Sequence, residues 1–425
     1  MKKIFSSIVH SFTAIFIATL IATSLLYFTY LIPAQSVRPN IEKSAFKLLQ
    51  EGEVFQLSKK LSGSKIDNFS TSIMLNNAAF LGRDNPFYDS LTNPRTEYSN
   101  PSNQISALFL SIKETSLDNA TIKEYPRYWH GYLTILKPLL IFFDISAIRI
   151  INFILQFSLL ILATFLIYKH LNLGYATAFL TSIFYINPIS TAYCLQYSST
   201  YYILLVSTII ILNSTKPLKP AKTFLAIGIS TSFFDLLSAP LLTLGFPLIV
   251  YISLYKKSPL KDLILIIKSS IYWSLGYLGF WFSKWLIATI FTPHNIIKDG
   301  INTIITRTIG KTPNETRILV DFDFSFALNQ NLNELNHFPS ILIILFFLLS
   351  VCLSYFIKQY KFTPNYTALL TLLIGLYPFI WFAIVTNHSI IHPLQSFRIL
   401  AIFIFALTSS IISLIPINNH QTPIK

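Results

Sequence analysis

The chain has 425 residues, of which 53% are hydrophobic and 12% charged, with 32 Lys and Arg against 18 Asp and Glu for a net charge of +14. A soluble domain carries about 25% charged residues, so a water-soluble globular fold is excluded. The cations sit mostly beside apolar runs, which reads as positive-inside topology signal rather than a nucleic-acid surface.

Repeated apolar stretches of about 20 residues predict an all-α integral membrane protein with about ten transmembrane helices. The first covers 8–32. It is too long for a signal-peptide core and lacks a small-residue cleavage site, so it reads as a retained helix with a cytoplasmic N-terminus. A large polar loop follows at 33–143 and holds ten of the 18 acidic residues. Within it, amphipathic helices are expected at 41–61 and near 104–117, with turns at Asn85-Pro86 and Asn93-Pro94. The stretch 132–143 is apolar but short and carries Lys137 and Pro138, as an interfacial helix would.

Transmembrane helices two to seven occupy 144–292, at about 145–168, 175–193, 199–213, 223–238, 240–255 and 269–291. A second polar loop spans 293–339, where Asp321-Phe322-Asp323 could also be a strand edge. Helices eight (340–357), nine (365–386) and ten (394–415) and a short tail complete 340–425. Lysines follow helices two, four, six and eight, whereas the short loops after three, five and nine carry none. That alternation places both termini in the cytoplasm and both large loops outside the cell membrane.

Few polar residues near the apolar spans could do chemistry. Asp235 ends a short helix, and Lys284 lies about two turns inside helix seven; ionisable groups at such depth are functional candidates by default. Arg127, Tyr128, Trp129 and His130 meet the outer interface, and an imidazole there could act as general acid or base. Arg398 enters helix ten beside its N-terminus, an arrangement suited to phosphate. His388 and His392 are four apart and resemble half a divalent-cation site. They have no third ligand nearby in sequence, so no metal-ligand set is assigned. Asp67 and Asp84 are candidate bases among the loop acids.

This layout of a first helix, a long outer loop with short amphipathic helices, tightly connected inner helices and a second outer loop after helix seven resembles the GT-C superfamily of membrane glycosyltransferases. The resemblance covers residues 1 to 340. It implies transfer of a sugar from a polyprenyl-phosphate carrier to a cell-envelope glycan or lipid acceptor on the outer face. It further implies a carboxylate of the first outer loop as base and basic residues gripping the lipid phosphate. Many members carry a catalytic Asp or Glu almost directly after helix one, often in an adjacent acidic pair; here the first acid is Glu42 and no such pair exists, so Asp67, Asp84 and Glu42 all stay open as the base. Lys284, Arg398 and His130 or His388 would stabilise the departing phosphate, with Arg127, Asp235 and His392 in the same binding set. The competing readings are a flippase for a lipid-linked saccharide, an acyltransferase with a buried histidine, and a scaffold without chemistry.

Overall fold

A computed structural model describes residues 2–59, 62–98, 103–113, 120–309, 323–334 and 365–414. The described chain is predominantly helical. Six helices are long and apolar enough to cross a membrane: Ile8–Leu31, Ile145–His170, Leu195–Asn213, Pro259–Phe291, Tyr366–Ile384 and Pro393–Ser413. Predicted helices three, five and six form at 173–185, 220–234 and 242–254 and hold 13, 15 and 13 residues. At 1.5 Å per residue, each is shorter than a ~30 Å hydrocarbon core. Predicted helix eight lies outside the described residues.

In chain order, α1 (Lys2–Leu31) leads after a Pro33 break into α2 (Ala34–Glu51). The amphipathic helix expected at 41–61 therefore starts earlier and stops at Gly52, whose φ of 78° favours glycine. Val54 then falls in β1 (Val54–Gln56), which pairs antiparallel with β2 (Lys65–Asp67). Asp67 caps α3 (Asn68–Ala79). The Asn85-Pro86 turn opens α4 (Pro86–Thr92): Asn85 accepts from the Tyr88 amide, Pro86 takes the first turn, and left-handed Asn93 ends the helix. A second antiparallel pair, β3 (Arg95–Tyr98) with β4 (Ala120–Lys123), encloses α5 (Gln104–Lys113).

The interfacial stretch forms α6 (Leu133–Phe142), followed by α7 (Ile145–His170), whose first turn is capped by Asp144. Asn172 caps α8 (Leu173–Tyr185) and left-handed Asn187 caps α9 (Pro188–Tyr193), which breaks predicted helix three in two. Then come α10 (Leu195–Asn213), α11 (Pro220–Phe234), α12 (Leu242–Leu254) and α13 (Pro259–Phe291). The second loop folds into amphipathic α14 (Ile296–Ile309) and α15 (Phe324–Asn333). Asp321 and Phe322 lie outside the described residues, and Asp323 caps α15 rather than edging a strand.

One close contact holds the helical frame together, and a second binds the polar loop to it. α11 and α13 approach closely because Gly228 and Gly276 face each other's backbone; a Cβ on Gly276 would lie 2.3 Å from the Leu225 carbonyl oxygen. Arg149 of α7, which is buried, donates to Glu51 at 2.9 Å, to Asn68 Oδ1 at 2.8 Å and to the Tyr193 carbonyl at 3.0 Å. That fan joins α7, α2, α3 and α9. The two polar loops meet through Lys65–Glu334 at 3.0 Å, Arg127–Asp299 at 3.3 Å and His294–Glu124 at 3.3 Å.

Candidate functional site

Where the loops meet, two cavities adjoin. The larger, about 510 Å³, is an apolar groove walled by Trp273, Tyr277, Trp281 and Trp285 of α13 and by Ile304 and Arg307 of α14. Its lining also includes Leu278, Ile380 and Ile384, whose side chains are exposed on the apolar surface of the molecule. The groove is thus continuous with the exposed apolar surface of the described helices. α14 itself exposes Ile301, Ile304 and Ile305, as expected for a helix lying in the membrane interface.

The smaller cavity, about 150 Å³, has a mixed wall, more polar than that of the groove. Its wall includes Ser70 of α3, His130, Gln196 of α10, His388, His392 and Gln395. A water occupies about 30 Å³ of liquid, so the space equals about five waters. Tyr128, Leu237 and Arg307 line both cavities. Arg307 makes no ion pair or hydrogen bond among the described residues, and it sits where the apolar groove turns polar.

The backbone around the smaller cavity is unusual. His130 and Leu237, both in its wall, hold φ values of 55° and 65°. Left-handed backbone is costly for a branched residue such as leucine, and it persists only where surrounding packing enforces it. Here the enforcement is visible. The Gly131 amide donates to the Phe233 carbonyl at 2.9 Å, and a Cβ on Gly131 would strike the Phe233 ring at 2.5 Å. The turn at 130–131 is therefore locked onto the 233–237 segment.

The sequence candidates divide as follows. His130 lines the pocket, but both ring nitrogens are engaged, Nε2 with the Tyr125 carbonyl at 3.1 Å and Nδ1 with the Tyr132 hydroxyl at 3.0 Å. Burial, with the nearby Lys284 ammonium adding to it, pushes the imidazole down to about 3. It is a neutral, locked residue, a poor fit to the acid–base role expected for it. His388 differs. Its Nε2 lies 2.9 Å from the Leu237 carbonyl, which can only accept, so Nε2 carries the proton and Nδ1 the lone pair. Nδ1 has no partner among the described residues. Burial, then His392 and Arg307, hold the ring well below the ordinary histidine value, hence neutral. The His388 and His392 rings are 4.8 Å apart, and among the described residues no group of three metal-ligating side chains gathers.

Asp67 stands one residue behind the wall. Its carboxylate accepts from the Ser70 amide at 2.8 Å, the Ser70 hydroxyl at 2.7 Å and Gln395 Nε2 at 2.9 Å. Burial raises its carboxyl above the ordinary value, against these hydrogen bonds. The bond to Gln395 turns that amide's oxygen, Oε1, away from Asp67, and Oε1 has no partner among the described residues. Asp84 and Glu42 are exposed and line neither cavity.

Arg127 lines the groove. It pairs with Asp299 and Thr303, and its carbonyl accepts from the Trp281 and Trp285 indoles, the latter at 2.8 Å. Lys284 is fully buried; its ammonium donates to the Ser90 carbonyl at 2.8 Å and lies 5.2 Å from the Trp129 ring centroid. Arg398 is buried over the Tyr197 ring at 3.6 Å and donates to Ser190 Oγ at 3.2 Å and to the Leu394 carbonyl. Asp235 accepts from the Ser238 amide at 3.0 Å in a buried turn. Lys284, Arg398 and Asp235 are buried and line neither cavity.

Gln196, Gln395 and Arg307 were not singled out in the sequence. The one signal was the amphipathic pattern of 296–309 with Arg307 in its last turn. No family model, curated protein or solved structure matches the chain.

Proposed function

We propose that this protein is a membrane glycosyltransferase that takes a sugar from a polyprenyl-phosphate carrier and passes it to a cell-envelope acceptor at the outer face. The observation that carries the reading is the pair of cavities joined across Arg307. A polyprenyl chain needs an aromatic groove open to the apolar surface; its phosphate needs a guanidinium at the end of that groove; its sugar needs a more polar pocket beyond. All three occur in that order. Charge developing on the departing phosphate would fall on Arg307, with Arg127 next along the groove. Of the loop carboxylates left open as the base, Asp67 is the one whose partners Ser70 and Gln395 line the smaller cavity, so it takes the acceptor's proton in this reading. Ten spans, cytoplasmic termini and outward loops belong to the same proposal, which places the site at the outer leaflet.

A second reading, acyl transfer to an envelope sugar, draws support from the buried His388, since such an enzyme needs a buried histidine. Deleting the gene in its native host separates the readings. Transfer from a lipid carrier calls for loss of one sugar from the envelope polymer and accumulation of the sugar-charged lipid carrier. Loss of acyl groups with the sugars and carrier unchanged would replace it with the acyltransferase.

A further inference from the structure

Away from the cavities, the molecule gathers positive charge on one face. α10 and α12 bear Gln196 and Leu241 of the cavity walls at their starts, and each ends in a lysine-rich loop. Lys216, Lys219 and Lys222 lie between the end of α10 and the first turn of α11. Lys256, Lys257 and Lys261 lie between the end of α12 and the first turn of α13. All six side chains are exposed. The Tyr251 hydroxyl of α12 donates to the Leu218 carbonyl at 2.7 Å, which sets the two loops side by side.

None of the six lysines makes an ion pair among the described residues. The only carboxylate in the two loops is Asp262. It is buried and accepts from the Lys257 amide at 3.0 Å and the Tyr366 hydroxyl at 3.2 Å. The cavity end is built differently, since Lys65, Arg83, Arg127 and Arg149 each meet a carboxylate there. Marking topology requires only that lysines stand near the spans. It does not require two loops joined into one face with the local carboxylate turned inward. Like charges so gathered repel one another, and an anion lying among them relieves the repulsion.

We infer that these two loops form a binding surface for the anionic headgroups of phospholipids in the leaflet at that end. The choice of a lipid over a soluble polyanion comes from α13. Ile264, Ile267 and Ile271 are exposed along it, and Lys261 lies one turn before Ile264, so apolar surface runs on directly from the charge. The helix has 33 residues, about 50 Å at 1.5 Å per residue against a ~30 Å hydrocarbon core. With Trp285 in the aromatic belt at the other interface, the core ends about 20 residues earlier, near Leu265. Lys257 and Lys261 then stand at headgroup depth, with acyl chains against Ile267 and Ile271. Each lysine so placed contributes roughly fivefold to affinity for an anionic surface. This surface is independent of what the cavities hold.

The test equilibrates the full chain in neutral detergent with equal amounts of dioleoyl phosphatidylglycerol and dioleoyl phosphatidylcholine, washes it at a set salt concentration, and counts the retained lipids by mass spectrometry. Wild type should favour phosphatidylglycerol at least about tenfold at ~0.15 M salt and approach parity at ~1 M, where the Debye length falls to about 3 Å. Lys256→Gln/Lys257→Gln/Lys261→Gln should cut the preference roughly 10- to 100-fold. Lys216→Gln/Lys219→Gln/Lys222→Gln should act in the same direction, and it leaves α13 untouched should the first variant fail to fold. Lys43→Gln/Lys113→Gln/Lys298→Gln, which removes three exposed lysines from the two polar loops, should leave the preference intact. Equal retention of the two lipids by wild type, or a preference that ignores both inner triple variants, overturns the lipid surface. Equal retention together with salt-sensitive binding of polyglutamate overturns it in favour of an acidic protein partner.

Discussion

His130 allows the strongest test of how the pocket is built. Its imidazole is pushed down to about 3 by burial beside Lys284, with Arg95 adding further positive charge. An unfolded histidine titrates near 6.5. Between those values the unfolded chain binds a proton that the folded chain does not, so stability rises with pH across that window and is lost on acidification. Each pH unit is worth at most about 1.4 kcal/mol for one site. From pH 6.5 to 5, His130 alone should therefore remove about 2 kcal/mol. The informative substitution is His130→Asn, because asparagine tolerates the left-handed backbone at this position and does not titrate. Thermal unfolding of the purified protein, followed by tryptophan fluorescence at pH 7 and pH 5, measures the difference. His388 shifts in the same direction and remains in both proteins, so only the His130 share should disappear. The variant should be less acid-sensitive than wild type by about 2 kcal/mol. An identical loss in both would mean that His130 is not held neutral in the fold, and the account of the locked 130–131 turn would fall with it.

Other consequences concern the frame. Arg149→Met leaves Glu51 with only the half-exposed Lys47, at 3.5 Å, and takes the donor from Asn68 Oδ1, and should cost about 3 kcal/mol. The double variant Arg149→Met/Glu51→Met should recover much of that loss, and a double variant no more stable than the single one would argue against the pair. Gly276→Ala places a methyl against the Leu225 carbonyl, so α11 and α13 must separate, at about 1–3 kcal/mol. Unchanged unfolding of Gly276→Ala would show that the two helices do not pack as described. At the junction of the cavities, Arg307→Gln removes a charged hydrogen bond worth about 1.5–3 kcal/mol and should weaken decyl phosphate binding about 10- to 100-fold. Binding as tight as wild type would remove Arg307 from the phosphate site.

How far the sequence carries depends on the range over which its signals act. Apolar runs bounded by Pro and Asn located the described helices of the frame to within a few residues, because insertion and capping are local effects. Helices three and seven were exceptions: Asn187 and Pro188 end α8 and begin α9, a break that the apolar run concealed, and α13 starts at Pro259, ten residues before the expected 269. Short strands such as Val54–Gln56 were missed because three residues carry no period. The site was harder still. Asp67 was found as an acid, but its role depends on Gln395, 328 residues away. Lys284 was found as an intramembrane charge, but its partner is a backbone carbonyl on α4, which no side-chain pattern reveals. His388 and His392 were seen as a pair four apart, whereas the feature that matters is the Leu237 carbonyl that sets one tautomer. Gln196 and Gln395 look like minor interruptions of apolar sequence, and only the fold shows that they line the smaller cavity.

The most direct measurement of the central claim is native mass spectrometry of the protein released from its own membrane, comparing wild type with Arg307→Gln. A groove and pocket joined across Arg307 should retain a lipid whose mass corresponds to a polyprenyl phosphate bearing a sugar, and the variant should lose it. Retention of ordinary phospholipid alone, equal in both proteins, would contradict the account.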